Sequence, residues 1–405
     1  MTAAPQGDGT VSRAAALAEG CEHVETPAEL AERLAAGRPL RVKLGLDPTS
    51  PDLHVGHAVV LRKLQQFVDD GHDVTLVIGT FTARIGDPSG RNQLRPPLTD
   101  EQIDANMRTY AEQAGKVLDL ERVSLRYNAE WLAPLRFEEV VRLLARTTVA
   151  RMLDRNDFAQ RYANGTPISL HEFLYPVAQA FDSVVLASDV ELGGSDQLFN
   201  LLMGRHYQQH EGQRPQVCMT VPLLEGLDGK VKMSKSVGNH IGLTEAPSEQ
   251  FGKAMRIPDE MIGRYAFLGA GRARSECDAL ERDIASGRLS PMDGKKAVAE
   301  WIVAAYHGPD AARSARENFE RTVQRRELPD EMPEVVLADA RRISDVLMQA
   351  GFAQSRREAE RLVRGGGVRL DGATVDDAAL EWTATEPVVV SVGSRRFARV
   401  LPPKR

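Results

Sequence analysis

Five short polar stretches carry the residues whose types and spacing could do chemistry. The first runs Asp47-Pro48-Thr49-Ser50-Pro51-Asp52 and then Leu53-His54-Val55-Gly56-His57. Its two prolines and small polar residues end an alternating run, Val42, Leu44, Leu46, that reads as a strand. Leu61, Leu64, Phe67 and Val68 then share one helical face, which Gly71 ends. His54 and His57 therefore stand at a helix start, where free N–H groups and the positive end of the helix dipole favour phosphate, and Gly56 leaves room for a ligand against the backbone. Read alone, the pair also suits half a metal site or two cap residues; no third ligand stands nearby, and Cys21, Cys218 and Cys277 are scattered.

The second stretch is Gly86-Asp87-Pro88-Ser89-Gly90 with Arg91 and Arg95, after the apolar run 73–79. Glycines around an Asp-Pro turn at a strand's carboxyl end suit a ligand crevice. The third sets Tyr175, Gln179 and Asp182 at i, i+4 and i+7 on one helical stripe, open to solvent or to a pocket. The fourth is Gly193-Gly194-Ser195-Asp196-Gln197. The fifth, Lys232-Met233-Ser234-Lys235-Ser236, places two lysines in a glycine-flanked loop, a mobile source of cations for phosphate oxygens.

The elements that must position these groups follow from periodicity. Residues 1–36 read as a disordered tail of about fifteen residues and a helical lead-in. Residues 37–245 alternate short apolar strands with longer amphipathic helices, the pattern of an α/β, Rossmann-like catalytic domain with a parallel sheet. Within it 189–192 is a short, equivocal strand, with only Val190 and Leu192 apolar. Residues 246–328 are helical throughout, and 329–340, with Pro329 and Pro333 among acids, form a linker. Residues 341–405 make a small α+β unit. There Ser355 and Glu358 open a helix with Ala359, Leu362 and Val363 on one face and Arg357, Arg361 and Arg364 on the other, and Asp371-Gly372 marks a tight turn between strands.

Composition sets the outer bounds. The net charge is −6, yet residues 341–405 hold 12 Lys+Arg against 8 Asp+Glu, so the tail is the basic part and its Arg row suits RNA. The N-terminus lacks the basic and apolar regions of a signal peptide, no apolar run approaches a membrane span, and three distant cysteines fit a reducing compartment, so a cytoplasmic protein is expected.

Leu53-His54-Val55-Gly56-His57 together with Lys232-Met233-Ser234-Lys235-Ser236 resembles the paired signatures of class I aminoacyl-tRNA synthetases. With Gly86–Gly90, the stretch Tyr175–Asp182 and Gly193–Gln197, the chain from Arg41 to Leu401 is similar to the bacterial-type tyrosyl branch, and residues 343–372 resemble an RNA-binding module first seen in a ribosomal protein. The resemblance implies ATP-dependent activation of L-tyrosine and its transfer to tRNA(Tyr) by a homodimer, with Mg²⁺ accompanying the nucleotide and no protein metal site. It implies that His54, His57, Lys232 and Lys235 hold the phosphates in the transition state, with Thr49, Arg91 and Arg95 as further contacts. Gly56, Gly194, Asp196 and Ser234 fall to the nucleotide, Asp196 on its ribose. Asp87, Tyr175 and Gln179 fall to the substrate's amino group, Asp182 to its phenol hydroxyl, and Asp47 and Gln197 lie beside it. Forming an adenylate asks only that the substrate carboxylate attack the α-phosphate in line, so no nucleophilic side chain is required.

Lys43 departs from the pattern, standing where well-known members have a tyrosine that bonds the hydroxyl; it could reach the hydroxyl or Asp182, or turn outward. Three rival readings are a sister enzyme for tryptophan or a tyrosine analogue, against which Asp182 and the RNA module speak, a catalytically idle RNA-binding paralogue, against which the intact signatures speak, and a small-molecule nucleotidyltransferase of the same fold, which would leave the helical domain and the RNA module without a purpose.

Overall fold

A computed structural model describes residues 7–49, 51–89, 98–321, 332–337, 342–393 and 396–402. The chain divides into two compact units, one ending at Gly308 and one beginning at Pro309.

Six strands form the first unit's sheet: β1 (His23–Glu25), β2 (Arg41–Leu46), β3 (Asp73–Ile78), β4 (Val123–Tyr127), β5 (Val190–Gly194) and β6 (Val217–Val221). Their order is β1-β6-β5-β2-β3-β4, all parallel except β1, which closes one edge antiparallel to β6. From β2 the chain moves to one side through β3 and β4, then returns to the other side of β2 at β5. Parallel crossovers are right-handed, so this reversal puts helices on opposite faces and opens a crevice at the carboxyl ends of β2 and β5. The equivocal strand of the sequence is thus the one beside the crevice. Its Glu191 is not a solvent-facing residue: it pairs in register with Lys43 of β2, and both side chains are buried. Parallel strands are covered on both faces, so Lys43, which the period-two reading left on the polar side, had to find a partner inside.

The Val55–Asp69 helix packs on β2, β3, β5 and β6 through Val55, Ala58, Leu61, Leu64 and Phe67. The Leu174–Leu186 and Leu198–His210 helices pack against each other, the former also on β2 and the latter on β5 and β6. Pro176, at the third residue of its helix, starts it without a kink, since a first-turn N–H has no intrahelical partner to lose.

Two expectations for the N-terminal segment are corrected. The helix expected after a disordered tail begins at Gly7, and the lead-in is split: Gly7–Ala18 and Pro27–Ala35 are helices with β1 between them. Thr26 caps the second helix by accepting from the Glu29 N–H at 3.1 Å, and Pro27 starts it. Asp189 then ties this region to the sheet, receiving Arg33 at 2.5 Å and Arg38 and Arg41 at 2.9 and 3.3 Å.

Helices Pro247–Ala254, Arg274–Ala285 and Pro291–His307, with a π-helical turn at Tyr265–Gly269, belong to the same compact unit as the sheet. The π-turn lies against the Val55–Asp69 helix, and Tyr265 Oη donates to the Glu225 carbonyl at 2.8 Å.

In the second unit β7 (Glu334–Val336), β8 (Val368–Leu370), β9 (Ala373–Val375), β10 (Val388–Val392) and β11 (Arg396–Leu401) form a sheet in the order β7-β11-β10-β8-β9. The linker reading of 329–340 is corrected over 334–336, because β7 pairs with β11 in parallel; Pro333, which has no N–H, stands just before the ladder and accepts from Arg399 N–H. Ser355 caps the Arg356–Arg364 helix, whose Ala359 and Val363 are buried while Arg357, Arg361 and Arg364 are exposed. Asp371 and Gly372, both at positive φ, make the tight turn from β8 to β9.

Candidate active site

The crevice is a cleft of about 870 Å³ at the carboxyl ends of β2, β3 and β5. Asp47, Thr49, His54, Gly56, His57, Asp87, Tyr175, Gln179, Asp182, Gly194, Asp196, Gln197, Lys232, Ser234 and Lys235 all line it. Tyr175, Gln179 and Asp182 thus face the cleft and not solvent. Arg91 and Arg95 lie outside the described residues. Lys43 does not line the cleft.

At one end stand the histidines. The His54 backbone N–H donates to His57 Nδ1 at 3.2 Å, which leaves the ring proton of neutral His57 on Nε2. Burial, with Lys232 nearby, takes His57 down to about 4, and burial lowers His54 well below the usual histidine range, helped by His57, His240 and Lys232. Both rings are neutral at pH 7, so they offer directed hydrogen bonds and no charge. The ring centroids are 3.9 Å apart. A Cβ on residue 56 would sit 3.0 Å from the His54 ring, which is why glycine stands between the two.

The lysine loop is fastened to the same place. Val55 N–H donates to Ile241 C=O at 2.9 Å and Leu243 N–H to Leu53 C=O at 3.0 Å, so the backbone of the first signature is joined to the segment that follows the lysine loop. Met233 is fully buried against Gly56 and anchors the loop, while Lys232 and Lys235 on either side remain about half exposed. Asn239 stitches the loop: its Oδ1 accepts from Ser234 N–H at 2.8 Å, and its Nδ2 faces the carbonyls of Val231 and Lys232 and the Asp228 carboxylate. Lys232 Nζ rests on Asp196 at 2.5 Å and Lys235 on Asp52. Ser234 Oγ shares a hydrogen bond with Ser236.

The other end is a carboxylate set held by neutral donors. Asp47 accepts from Thr82 Oγ1 at 2.7 Å and Tyr175 Oη at 2.9 Å, and a Cβ on Gly79 would lie 1.9 Å from it. Asp87 accepts from Ser89 and, at 2.9 Å, from Gln197 Nε2. Asn200 Nδ2 donates to both Gln179 Oε1 and Gln197 Oε1, and Arg155, buried, holds Asn200 and Ser89 at 3.1 and 2.7 Å. Deepest is Asp182, 4% exposed. Trp131 Nε1 donates to it at 2.8 Å and Asn128 Nδ2 at 3.5 Å, and burial pushes its carboxyl up to about 6 against the pull of Lys43. Lys43 itself lies beneath the floor, with Nζ 3.1 Å from Glu191. It reaches neither the cleft nor Asp182 through a hydrogen bond, which corrects its placing as a direct substrate contact.

Sequence reading missed Thr82, Asn128, Trp131, Arg155, Glu191 and Asn200. Thr82, Asn128, Trp131 and Arg155 act on candidate residues from distant parts of the chain, whereas Asn200 stands three residues from Gln197 and Glu191 twelve from Gln179; the only local sign was the polar Glu191 within an otherwise buried strand.

Neutral histidines at a helix start and two lysines on a hinged loop are suited to the phosphates of a nucleotide, and the carboxylates at the far end to a cationic partner of limited size. Comparison with known proteins narrows this class. The family model for class I tRNA synthetases of the W and Y type matches residues 35–324, and the S4 domain model matches residues 341–381. The chain belongs to the class I tRNA synthetases of the tryptophan and tyrosine type. It is 50% identical to the tyrosine–tRNA ligase of Moorella thermoacetica over 95% of this chain and 93% of that protein, and 50% identical to that of Thermotoga maritima over 92% and 93%. Its structure resembles the tyrosyl-tRNA synthetase of Aeropyrum pernix with a TM-score of 0.60 at 25% identity, covering 77% of this chain and 99% of that one.

Proposed function

We propose that the chain activates L-tyrosine with ATP to tyrosyl-adenylate and passes the tyrosyl group to tRNA(Tyr). The observation that carries this reading is Asp182, a carboxylate at the buried end of a cleft whose other end bears both nucleotide signatures. A phenol hydroxyl arriving there can donate to the carboxylate beside Trp131 and Asn128, while Asp87, Tyr175 and Gln179 receive the ammonium. The substrate carboxylate then points toward the α-phosphate. His54, His57, Lys232 and Lys235, with Thr49, Arg91 and Arg95, meet the charge that develops on the leaving pyrophosphate, Gly56, Gly194, Asp196 and Ser234 seat the nucleotide, and Asp47 and Gln197 lie beside the amino acid. Position and charge do the work, with no covalent enzyme intermediate.

Mg²⁺ enters this reading on the phosphates, where it neutralises their charge; among the described residues there is no group of three His, Cys, Asp or Glu that could hold a metal ion. The exposed row Arg357, Arg361 and Arg364 suits phosphates of the tRNA. A homodimer is supported by Phe137, Val141 and Leu144, one exposed apolar stripe at i, i+4 and i+7 of the Phe137–Leu144 helix, and by exposed Val149, Tyr162 and Leu170 nearby in sequence. Among the described residues no helix is long and apolar enough to cross a membrane, and we place the protein in the cytoplasm.

The test is exchange of pyrophosphate into ATP with tyrosine, phenylalanine and tryptophan. Tyrosine is expected to exceed phenylalanine by at least about 10²-fold, because phenylalanine buries Asp182 without the hydroxyl. Preference for tryptophan would move the chain to the sister branch, and absence of exchange with any amino acid would leave only an RNA-binding role.

A further inference from the structure

Lys43 and Glu191 face each other in register on β2 and β5, and neither side chain is more than 2% exposed. Four donors converge on the Glu191 carboxylate. Lys43 Nζ and Gln179 Nε2 each lie 3.1 Å from Oε1, while Ser183 Oγ, at 3.0 Å, and Gln216 Nε2 meet Oε2. Lys43 also donates to the Gln179 backbone carbonyl at 3.3 Å. A carboxylate so surrounded only accepts, which leaves the Gln179 amide one orientation. Turned over, it would set its own oxygen against Glu191. In the orientation that remains, Gln179 Oε1 accepts from Asn200 Nδ2 at 2.9 Å and, as a carbonyl oxygen, has room for a second donor from the cleft.

We propose that the buried Lys43–Glu191 pair is a positioning pair for the substrate ammonium: it locks Gln179 so that an acceptor, and not an NH₂ group, faces the incoming cation. The pair touches no substrate. By contact, Lys43 is tied to amino-acid recognition through the ammonium end, two steps removed. The inference rests on the reading that Gln179 receives the ammonium.

The test compares two ligands that bear an alcohol in place of the carboxylate, on the full chain: tyrosinol, which carries the ammonium, and 3-(4-hydroxyphenyl)propan-1-ol, which lacks it. The double variant Lys43→Met/Glu191→Gln carries no unpaired buried charge, and its residue 191 can present either a donor or an acceptor, so Gln179 is unlocked. It is expected to weaken tyrosinol about 10- to 100-fold, the range for one hydrogen bond to a charged group, and to leave the other ligand within about 3-fold. Lys43→Met alone strands a buried carboxylate that still only accepts, and can fail to fold. Equal weakening of both ligands, or no weakening of either in the double variant, overturns the proposal. Gln179→Ala separates the two levels. If it weakens tyrosinol selectively while the double variant does not, the positioning role fails and the ammonium reading stands; if it is not selective either, the ammonium reading itself fails.

Discussion

Asp182 has a titration that runs against the usual carboxylate rule, and its consequence is measurable. Its folded value of about 6 lies above the ordinary 3.8 because burial opposes the charge. Between those two values the folded chain keeps a proton that the unfolded chain has lost, so stability falls as pH rises through this window, by about 3 kcal/mol once both forms are ionised. Asp182→Asn removes the buried charge and keeps the shape. The variant is expected to be more stable than the wild type at pH 7.5, to lose that advantage as pH falls toward 4, and to lose tyrosine-dependent exchange; urea denaturation at the two pH values measures the first part. An advantage that is the same at both would show that the carboxylate is not charged at a cost in the folded chain. Asp182 was legible in the sequence because it shares a helical stripe with Tyr175 and Gln179. Trp131 and Asn128 were not, since about fifty residues separate them from the carboxylate they serve and only the sheet brings them to it. Lys43 was visible as an oddity, but which way it turned depended on Glu191, a residue whose strand the sequence barely signalled.

Between elements, the closest dependence is that of the lysine loop on Asn239. One side chain holds Ser234 N–H and faces two carbonyls of the loop, and Gly226 is free of a Cβ that would strike it at 2.2 Å. Asn239→Ala is expected to slow adenylate formation roughly 10²-fold through misplaced Lys232 and Lys235, with tyrosine binding nearly unchanged, since unmade buried hydrogen bonds cost about 1–3 kcal/mol and the amino-acid end is built on other elements. Single-turnover kinetics beside equilibrium tyrosine binding check it, and a weaker tyrosine affinity at an unchanged rate would refute it. The sequence marked the first signature as a helix start after a strand and loop, and the second as a glycine-flanked loop, because Gly, Pro and alternating apolar residues report local geometry directly. It gave no sign that backbone hydrogen bonds join residues 53–55 to 241–243, nor of the π-turn at Tyr265–Gly269, whose hydrogen-bonding pattern has no periodicity distinct from the helices around it.

Across the whole molecule, the proposed function gives activation to the first unit and RNA binding to the second, and the place to cut is set by β7. Ending the chain before residue 341 would leave Glu334–Val336 without β11, whereas a chain ending at Arg321 removes the second sheet entire. That chain is expected to keep tyrosine-dependent exchange and to lose tRNA affinity. If Arg357, Arg361 and Arg364 each meet a phosphate, the affinity of the full chain falls more steeply with salt, by about 2 to 3 in the slope of log K against log salt; equal slopes for both chains would remove the RNA role of that helix. The first sheet has a consequence of another kind, in time. His23 of β1 lies opposite Thr220 of β6, a partner about two hundred residues further along. At roughly 5 to 20 residues per second the N-terminal strand leaves the ribosome some 10 to 40 s before its partner exists. The Asp47 loop and the His54–His57 turn are made early in that interval, β5 and β6 only at its end, and the lysine loop after it. The cleft is therefore assembled in one late step, from parts that have waited for it.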